Sequence, residues 1–328
     1  MTINARTIDT VSTRADWPSF SIVIPTYQRR DVVCAAVRAL SEIDYPGDIE
    51  LIVVVDGSTD GTAATLRQLD CAFPLRAIEQ ENCGLAAARN RGAAEATGDI
   101  LLFLDDDMIC QPDLLSHHVS SYRAGADAVI GEFVEPPDIF SSSTTRDVAP
   151  GARPACDERV CSPFGIYGGH MSVRRSAFDQ IGGFDQSFTA NGRYGYEDSD
   201  IAYRLLQQFT VYRNPVAVCE HRKRISVREY ISRGRSSAEA ELFLLKKHPE
   251  LLGELSEWSG AFRISKRLRF LVRLPIVPRT VAAVATLIAE LGSRTALRSS
   301  RILAHLCDVA YTVNYWSTVQ RTRGIPGS

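Results

Sequence analysis

Three apolar, β-branched runs constrain this chain most. Phe20 to Ile24, Leu51 to Val55 and Leu101 to Leu104 each break off abruptly into polar residues. Runs of this length without polar alternation read as strands covered on both faces, the pattern of a parallel sheet. Val32, Val33, Ala36, Val37 and Leu40 follow the first run at helical spacing, and the Ala-rich segment from Gly84 to Gly92 opens another helix. A further short strand is expected near Leu75 to Ile78. Strands alternating with helices imply βαβ units with right-handed crossovers.

The polar ends of the runs are then brought to one sheet edge: Pro25 to Arg29, Asp56 to Asp60, and Asp105-Asp106-Asp107. Open α/β sheets bind ligands at that carboxyl edge. Three adjacent carboxylates repel one another unless a cation or a donor network compensates them, and hard oxygen ligands of this kind suit Mg²⁺ or Mn²⁺ with a diphosphate. Taken alone, the triple aspartate reads as a solvated acidic turn.

Composition adds boundaries. The 328 residues can bury one large core or two smaller ones, and 45% hydrophobic with 23% charged content is that of a soluble globular protein. The net charge of −2 hides an asymmetry: residues 220–328 hold 19 Lys/Arg against 9 Asp/Glu. A basic tail either meets an anionic partner or folds against the acidic part. The eight cysteines form no CxxC pair and read as reduced thiols of a cytosolic protein. Cys156 and Cys161 flank Asp157-Glu158 but lack zinc-site spacing. Met1 to Asp16 has no apolar signal core, and no stretch reaches the roughly 18 apolar residues of a spanning helix. Neither GxxxxGK[ST] nor a strand leading into GxGxxG is present, so Walker-type ATPase and dinucleotide readings lose their support.

Four motifs in order, Ser21-Ile22-Val23-Ile24-Pro25-Thr26-Tyr27-Gln28-Arg29, Val54 to Thr62, Gly84 to Gly92 and Phe103 to Asp107, resemble those of family 2 glycosyltransferases. Gly168 to Arg175, Ile181 to Asp185 and Tyr196 to Leu205 extend the resemblance to about Arg224. It implies a GT-A fold, a mostly parallel central sheet flanked by helices with a C-terminal helical extension. The chain would divide into a polar segment 1–18, a catalytic domain 19–224 with a nucleotide-binding half (19–110) and an acceptor-binding half (111–224), and a basic extension 225–328.

The activity implied is transfer of a sugar, with inversion, from a nucleotide-diphosphate donor, a UDP-sugar by family preference, to an acceptor hydroxyl on a glycan, glycolipid or small molecule. Mn²⁺ or Mg²⁺ would neutralise the leaving diphosphate. By resemblance, Asp105 contacts the ribose, Asp107 holds the metal and Asp106, also placed in the donor site, is the member expected to tolerate change. Asp56 bonds the base, with Pro25, Thr26, Tyr27 and Arg29 in the first loop. Arg89 either approaches the nucleotide or is a surface charge paired with a nearby acid.

The acceptor hydroxyl needs a base. That role goes to Asp198 of the Glu197-Asp198 pair, Glu197 being the alternative base or an acceptor contact; the bland reading makes Asp198 a helix cap. Asp200 reads as structural, paired with Arg204. His221, at the end of an expected strand Val216 to Cys219, is either a metal ligand or a solvated charge. His170, where the family carries a small or amide residue, is expected to face the donor sugar.

Residues 136–163, rich in Pro, Ser, Thr and Asp, form a long loop that is either an acceptor lid or a plain insertion. In the extension, Val281, Val284, Ile288 and Leu291, and then Ile302, Leu306, Val309, Val313 and Trp316, repeat at helical spacing around a basic stretch Lys266 to Pro275. These helices either pack on the core or lie on anionic lipid, which leaves a cytoplasmic protein or one peripheral to the inner face of a membrane. Nucleic acid is not an expected partner. The alternatives to sugar transfer are a nucleotidyltransferase that makes a nucleotide-sugar and a non-catalytic nucleotide-sugar-binding protein.

Overall fold

The computed structural model describes residues 17–135, 158–164, 166–190, 195–222, 226–258, 287 and 301–321. The first half alternates as expected: β1 (Phe20–Thr26), α1 (Arg30–Leu40), β2 (Ile49–Asp56), α2 (Thr62–Arg67), β3 (Leu75–Gln80), α3 (Leu85–Glu95) and β4 (Ile100–Leu104). These strands pair in parallel in the order β3-β2-β1-β4.

Continuous apolar runs arise because successive residues serve two cores. Ile22, Ile24, Leu51, Val53, Leu102 and Leu104 pack on the α1 side with Val33 and Val37. Val23, Ile52, Val54, Leu101 and Phe103 pack on the other with Ala86, Ala88 and Ala93 of α3. Period-2 geometry sends alternate side chains to opposite faces, so a strand covered twice shows no alternation.

The second half is mixed. It adds β5 (Met108–Cys110), α4 (Leu114–Arg123), β6 (Ala128–Val134), β7 (Glu158–Arg159), β8 (His170–Arg174), α5 (Arg175–Gln180), α6 (Glu197–Leu206) and β9 (Val211–His221). The sheet continues β4-β8-β6-β9-β5, with β7 also on β9. β8 runs antiparallel between β4 and β6, and β9 runs parallel to β6 with a register shift between Ile130 and Glu132. Insertion of β8 carries the Gly168-Gly169 turn to the carboxyl end of β4, and β9 delivers His221 to the same edge through its pairing with Met108.

The described part of the extension folds against this domain. α7 (Val227–Lys247) starts at Ser226, whose hydroxyl accepts from the Glu229 N–H at 3.1 Å, and α8 (Leu252–Trp258) follows. α9 (Arg301–Arg321) packs along α7. The helices touch so closely that a Cβ on Gly234 would lie 2.3 Å from the Tyr311 carbonyl oxygen. Cys307, Ala310, Val313, Tyr315 and Val319 are buried, so α9 buries a face against protein here, one that shares Val313 with the expected stripe, while Val309 and Trp316 are half-buried. No helix among the described residues is long and apolar enough to cross a membrane. The 281–291 repeat except Leu287, the basic stretch 266–275, Cys156 and loop residues 136–157 lie outside the described residues. The described cysteines carry free thiols.

Candidate active site

Beyond β4 the three aspartates turn in three directions. Asp106 points inward, where Thr26 Oγ1 donates to it at 2.7 Å and Arg29 Nη1 at 2.5 Å. Burial pushes its carboxyl up to about 7, with Arg29 and Thr26 opposing that rise. Asp106 is thus a bracket between β1 and the acidic turn, and the expectation that it tolerates change does not fit its place. Asp107 accepts from Arg29 Nη2 at 2.8 Å. Burial alone would raise its carboxyl, but His221 and Arg29 hold it well below the usual range. Asp105, the most open of the three, accepts from the Tyr167 hydroxyl at 2.6 Å and from Arg89 Nη2 at 3.0 Å.

Asp107 Oδ1 lies 3.1 Å from His221 Nε2. The approach lacks hydrogen-bond geometry, and Asp107 Oδ1 and both His221 ring nitrogens are buried without a hydrogen-bond partner. Buried polar atoms are rarely left so. Asp105, Asp107 and His221 can each present one ligand atom within 4.8 Å of the others. Two carboxylates and an imidazole form a donor set that fits a divalent cation. The triad also gives Asp105 a possible ligand role beside the ribose contact expected from the sequence.

Arg89 is the hub of the site. It stands on α3 but turns inward, only 1% exposed, so it is not a surface charge. Nη1 donates to Asp198 Oδ1 at 2.9 Å and reaches Glu197 Oε1 at 3.5 Å, while Nη2 serves Asp105. The guanidinium also lies over the Phe184 ring at 5.2 Å. Three carboxylates share this one buried cation. Burial raises the carboxyls of both Glu197 and Asp198, and Arg89 limits the rise. The pair differs in access, because the Glu197 side chain is 4% exposed and that of Asp198 20%.

Close packing explains Gly168-Gly169. A Cβ on Gly168 would stand 2.1 Å from Asp198 Oδ1, and one on Gly169 2.5 Å from Asp105 Cγ. The pair and Tyr167 were not assigned site roles from the sequence. The signal available was an aromatic residue before two glycines at a strand entrance, which marks close approach without saying to what.

On the nucleotide side, Asp56 ends β2 with its carboxylate already engaged by Gln80 Nε2 (2.7 Å) and the N–H groups of Cys83 and Gly84 (2.9 Å each). It braces the turn into α3. Pro25 and Thr26 are buried in β1, whereas Tyr27, at 51% exposure, and Gln28 project. Gln28 has φ +54°, an unusual backbone for its type, held by its N–H on Ser58 Oγ and its amide on Thr59 Oγ1. That turn sends Arg29 back to the aspartates.

Two expectations are adjusted. Asp200 is structural, as expected from its pairing with Arg204, but Lys247 (2.6 Å) and His248 (2.9 Å) of the extension also bind it. His170 does not face the donor side. It is wholly buried, with Nδ1 donating to the Glu132 carbonyl at 3.0 Å and Nε2 3.2 Å from His118 Nε2.

Comparison with known proteins points to one family. Residues 21–182 match the profile described as "Glycosyl transferase family 2", and residues 162–226 match "N-terminal domain of galactosyltransferase". Validoxylamine A glucosyltransferase of Streptomyces hygroscopicus subsp. limoneus is 26% identical over 289 residues, 77% of this chain and 62% of that protein. The chain therefore spans less than two thirds of that relative. Among solved structures, mannosyltransferase PcManGT from Pyrobaculum calidifontis, in complex with GDP-Man and Mn²⁺, superposes with a TM-score of 0.60 at 21% identity, covering 94% of this chain and 90% of that one. S. aureus TarS 1–349 in complex with UDP-GlcNAc gives a TM-score of 0.57 at 17% identity, with coverage of 93% and 91%. At these identities the two structures speak for the fold.

Proposed function

The chain belongs to glycosyltransferase family 2, and from that premise we propose that it transfers a sugar, with inversion, from a nucleotide-diphosphate donor to an acceptor hydroxyl. The observation that carries this reading is Arg89, which ties Asp198 and Asp105 into one assembly beside the Asp107–His221 pair.

Asp198 is the base. Its Oδ1 is fixed by Arg89, its side chain remains partly open, and burial raises its carboxyl toward the range useful for proton abstraction at neutral pH. Glu197, almost fully enclosed, is a poorer candidate. Asp107 and His221, with Asp105 within reach, would hold a divalent cation. When bound there, Mn²⁺ or Mg²⁺ supplies Lewis acidity for the charge that develops on the diphosphate. Tyr27 offers an exposed ring to the base, Asp56 keeps one acceptor site on Oδ2 for it while bracing its loop, and Arg29 stands next to the acidic turn.

The relatives support a nucleotide-sugar donor without selecting the base, since one neighbour was solved with GDP-Man and another with UDP-GlcNAc. UDP remains the first choice to try, with a glycan, glycolipid or small molecule as acceptor. Release of nucleoside diphosphate from UDP-, GDP- and dTDP-sugars, with Mn²⁺ or Mg²⁺, tests the reading. Asp198→Asn should keep donor binding by calorimetry and lose turnover by about 10²–10⁴-fold. Full turnover in Asp198→Asn would remove the base assignment, and release of pyrophosphate would replace transfer by nucleotidyl chemistry.

A further inference from the structure

The extension reaches the candidate base through a single buried carboxylate. Tyr196, immediately before Glu197-Asp198, has φ +67°. A left-handed backbone at an aromatic residue is uncommon and persists only when its surroundings hold it. Its carbonyl accepts from the Asp200 N–H at 3.0 Å, and its side chain is held from the extension. The Tyr196 hydroxyl donates to Glu241 Oε2, and the Tyr315 hydroxyl donates to Glu241 Oε1. Glu241 lies on α7 and Tyr315 on α9, each 2% exposed. Both carboxylate oxygens are thus used, one on the turn that launches α6 and one on the last helix.

The Tyr196 ring packs against the cluster of Phe164, Phe188, Leu244, Leu251 and Leu255, which also spans the domain and the extension. Lys247 and His248, at the end of α7, grip Asp200 one half-turn beyond Asp198. A buried carboxylate is costly to enclose, and burial pushes that of Glu241 up to about 7 despite its two phenol donors. A leucine would suffice to pack two helices together. A carboxylate bonded on both sides specifies an orientation.

We propose that Glu241 is a positioning residue for sugar transfer: with Tyr196 and Tyr315 it forms a latch through which α7 and α9 hold the Tyr196 turn, and hence Asp198, at its working angle. The proposal rests on Asp198 being the base. The latch makes no direct contact with the acidic turn or the β1 and β2 loops and reaches them only through Asp198 and Arg89, so nucleotide binding should depend on it far less than transfer does. Glu241→Gln keeps an acceptor for one phenol and loses the other, whereas Glu241→Ala loses both and Tyr315→Phe removes one donor with little change in volume.

The test uses the full chain and three measurements on these variants: amide hydrogen exchange of the peptide covering Tyr196 to Ser199, Mn²⁺-dependent binding of UDP and GDP by calorimetry, and kcat and KM for whichever donor the unmodified protein turns over. Exchange at Tyr196 to Ser199 should rise at least tenfold in Glu241→Ala and less in Glu241→Gln and Tyr315→Phe, with exchange in β1 to β4 unchanged. Nucleotide affinity and donor KM should stay within twofold while kcat falls about tenfold in Glu241→Ala, with partial recovery in Glu241→Gln. Unchanged exchange at the turn in a folded Glu241→Ala, or in Tyr315→Phe should Glu241→Ala not fold, overturns the latch. A loss of kcat matched by a loss of nucleotide affinity and raised exchange in β1 to β4 also overturns it, since that is general destabilisation. If the unmodified protein turns over no donor, the transferase reading fails, and the exchange measurement still decides the latch.

Discussion

At the scale of single residues the site is organised by charge counting. Asp105, Glu197 and Asp198 converge on Arg89, and removal of that cation would leave enclosed carboxylates without compensation. Arg89→Met should therefore destabilise the fold by about 3–5 kcal/mol, the usual cost of orphaning a buried ion pair, as measured by urea unfolding. Arg89→Lys should recover only part of this, because one ammonium cannot serve carboxylates with two separate nitrogens. The buried histidines give a second residue-scale expectation. The chain Tyr122 hydroxyl to Ser172 Oγ to His118 Nδ1, then His118 Nε2 to His170 Nε2 and His170 Nδ1 to the Glu132 carbonyl, closes with one proton per link and both imidazoles neutral. Burial lowers His118 and brings His170 down to about 4. A group with a depressed folded pKa adds stability above its unfolded value, near 6.5, and that stability is lost as pH falls toward 4. Between pH 7 and pH 5, His170 alone should remove about 2 kcal/mol. Urea midpoints of His170→Asn across that range should fall less steeply than those of the unmodified chain.

Among elements, the first half was legible because each strand carries its own signal. The continuous apolar runs lie within β1, β2 and β4, and α1 and α3 lie where helical spacing or alanine content indicated. α3 also shows why alanine and glycine recur there. It lies so near β1 that a Cβ on Gly92 would come within 2.3 Å of Val23 Cγ1. Gly92→Ala, a gain in intrinsic helix propensity, should nevertheless destabilise by about 1–3 kcal/mol through overpacking, read as a lower urea midpoint with an unchanged slope. β5, β7 and β8 were not legible. β5 has three residues and β7 two, too few for a period, and β8 is defined by pairing with β4 across some seventy positions of chain. The strand near Val216 to Cys219 was expected, but its start at Val211 is set by the partner β6.

For the whole molecule, binding and stability are linked. If the carboxyl edge holds nucleotide and metal only in the folded state, a nucleoside diphosphate with Mn²⁺ at about 100 times its dissociation constant adds about 2.7 kcal/mol. In a chain of this size that should raise Tm by roughly 4 °C. Asp107→Ala should abolish the Mn²⁺-dependent part of the rise. The extension shows where local sequence stops being informative. Its helical spacing and basic charge allowed either packing on the core or a lipid surface, and α9 packs along α7 on a face that includes Cys307, Ala310 and Val313, of which the expected stripe held only Val313. Periodicity says that a helix has an apolar face, whereas the occupant of that face depends on surfaces made elsewhere in the chain. The sequence by itself determined the βαβ order, the family and the polar ends of its strands, because strand burial and loop motifs are written in contiguous residues. Only the tertiary structure decided that Arg89 turns inward, that Asp106 braces while Asp107 and His221 keep unpartnered atoms, and that Glu241 reaches Tyr196. Each of these depends on the meeting of groups distant in sequence, where burial and electrostatics act between neighbours that no local pattern records.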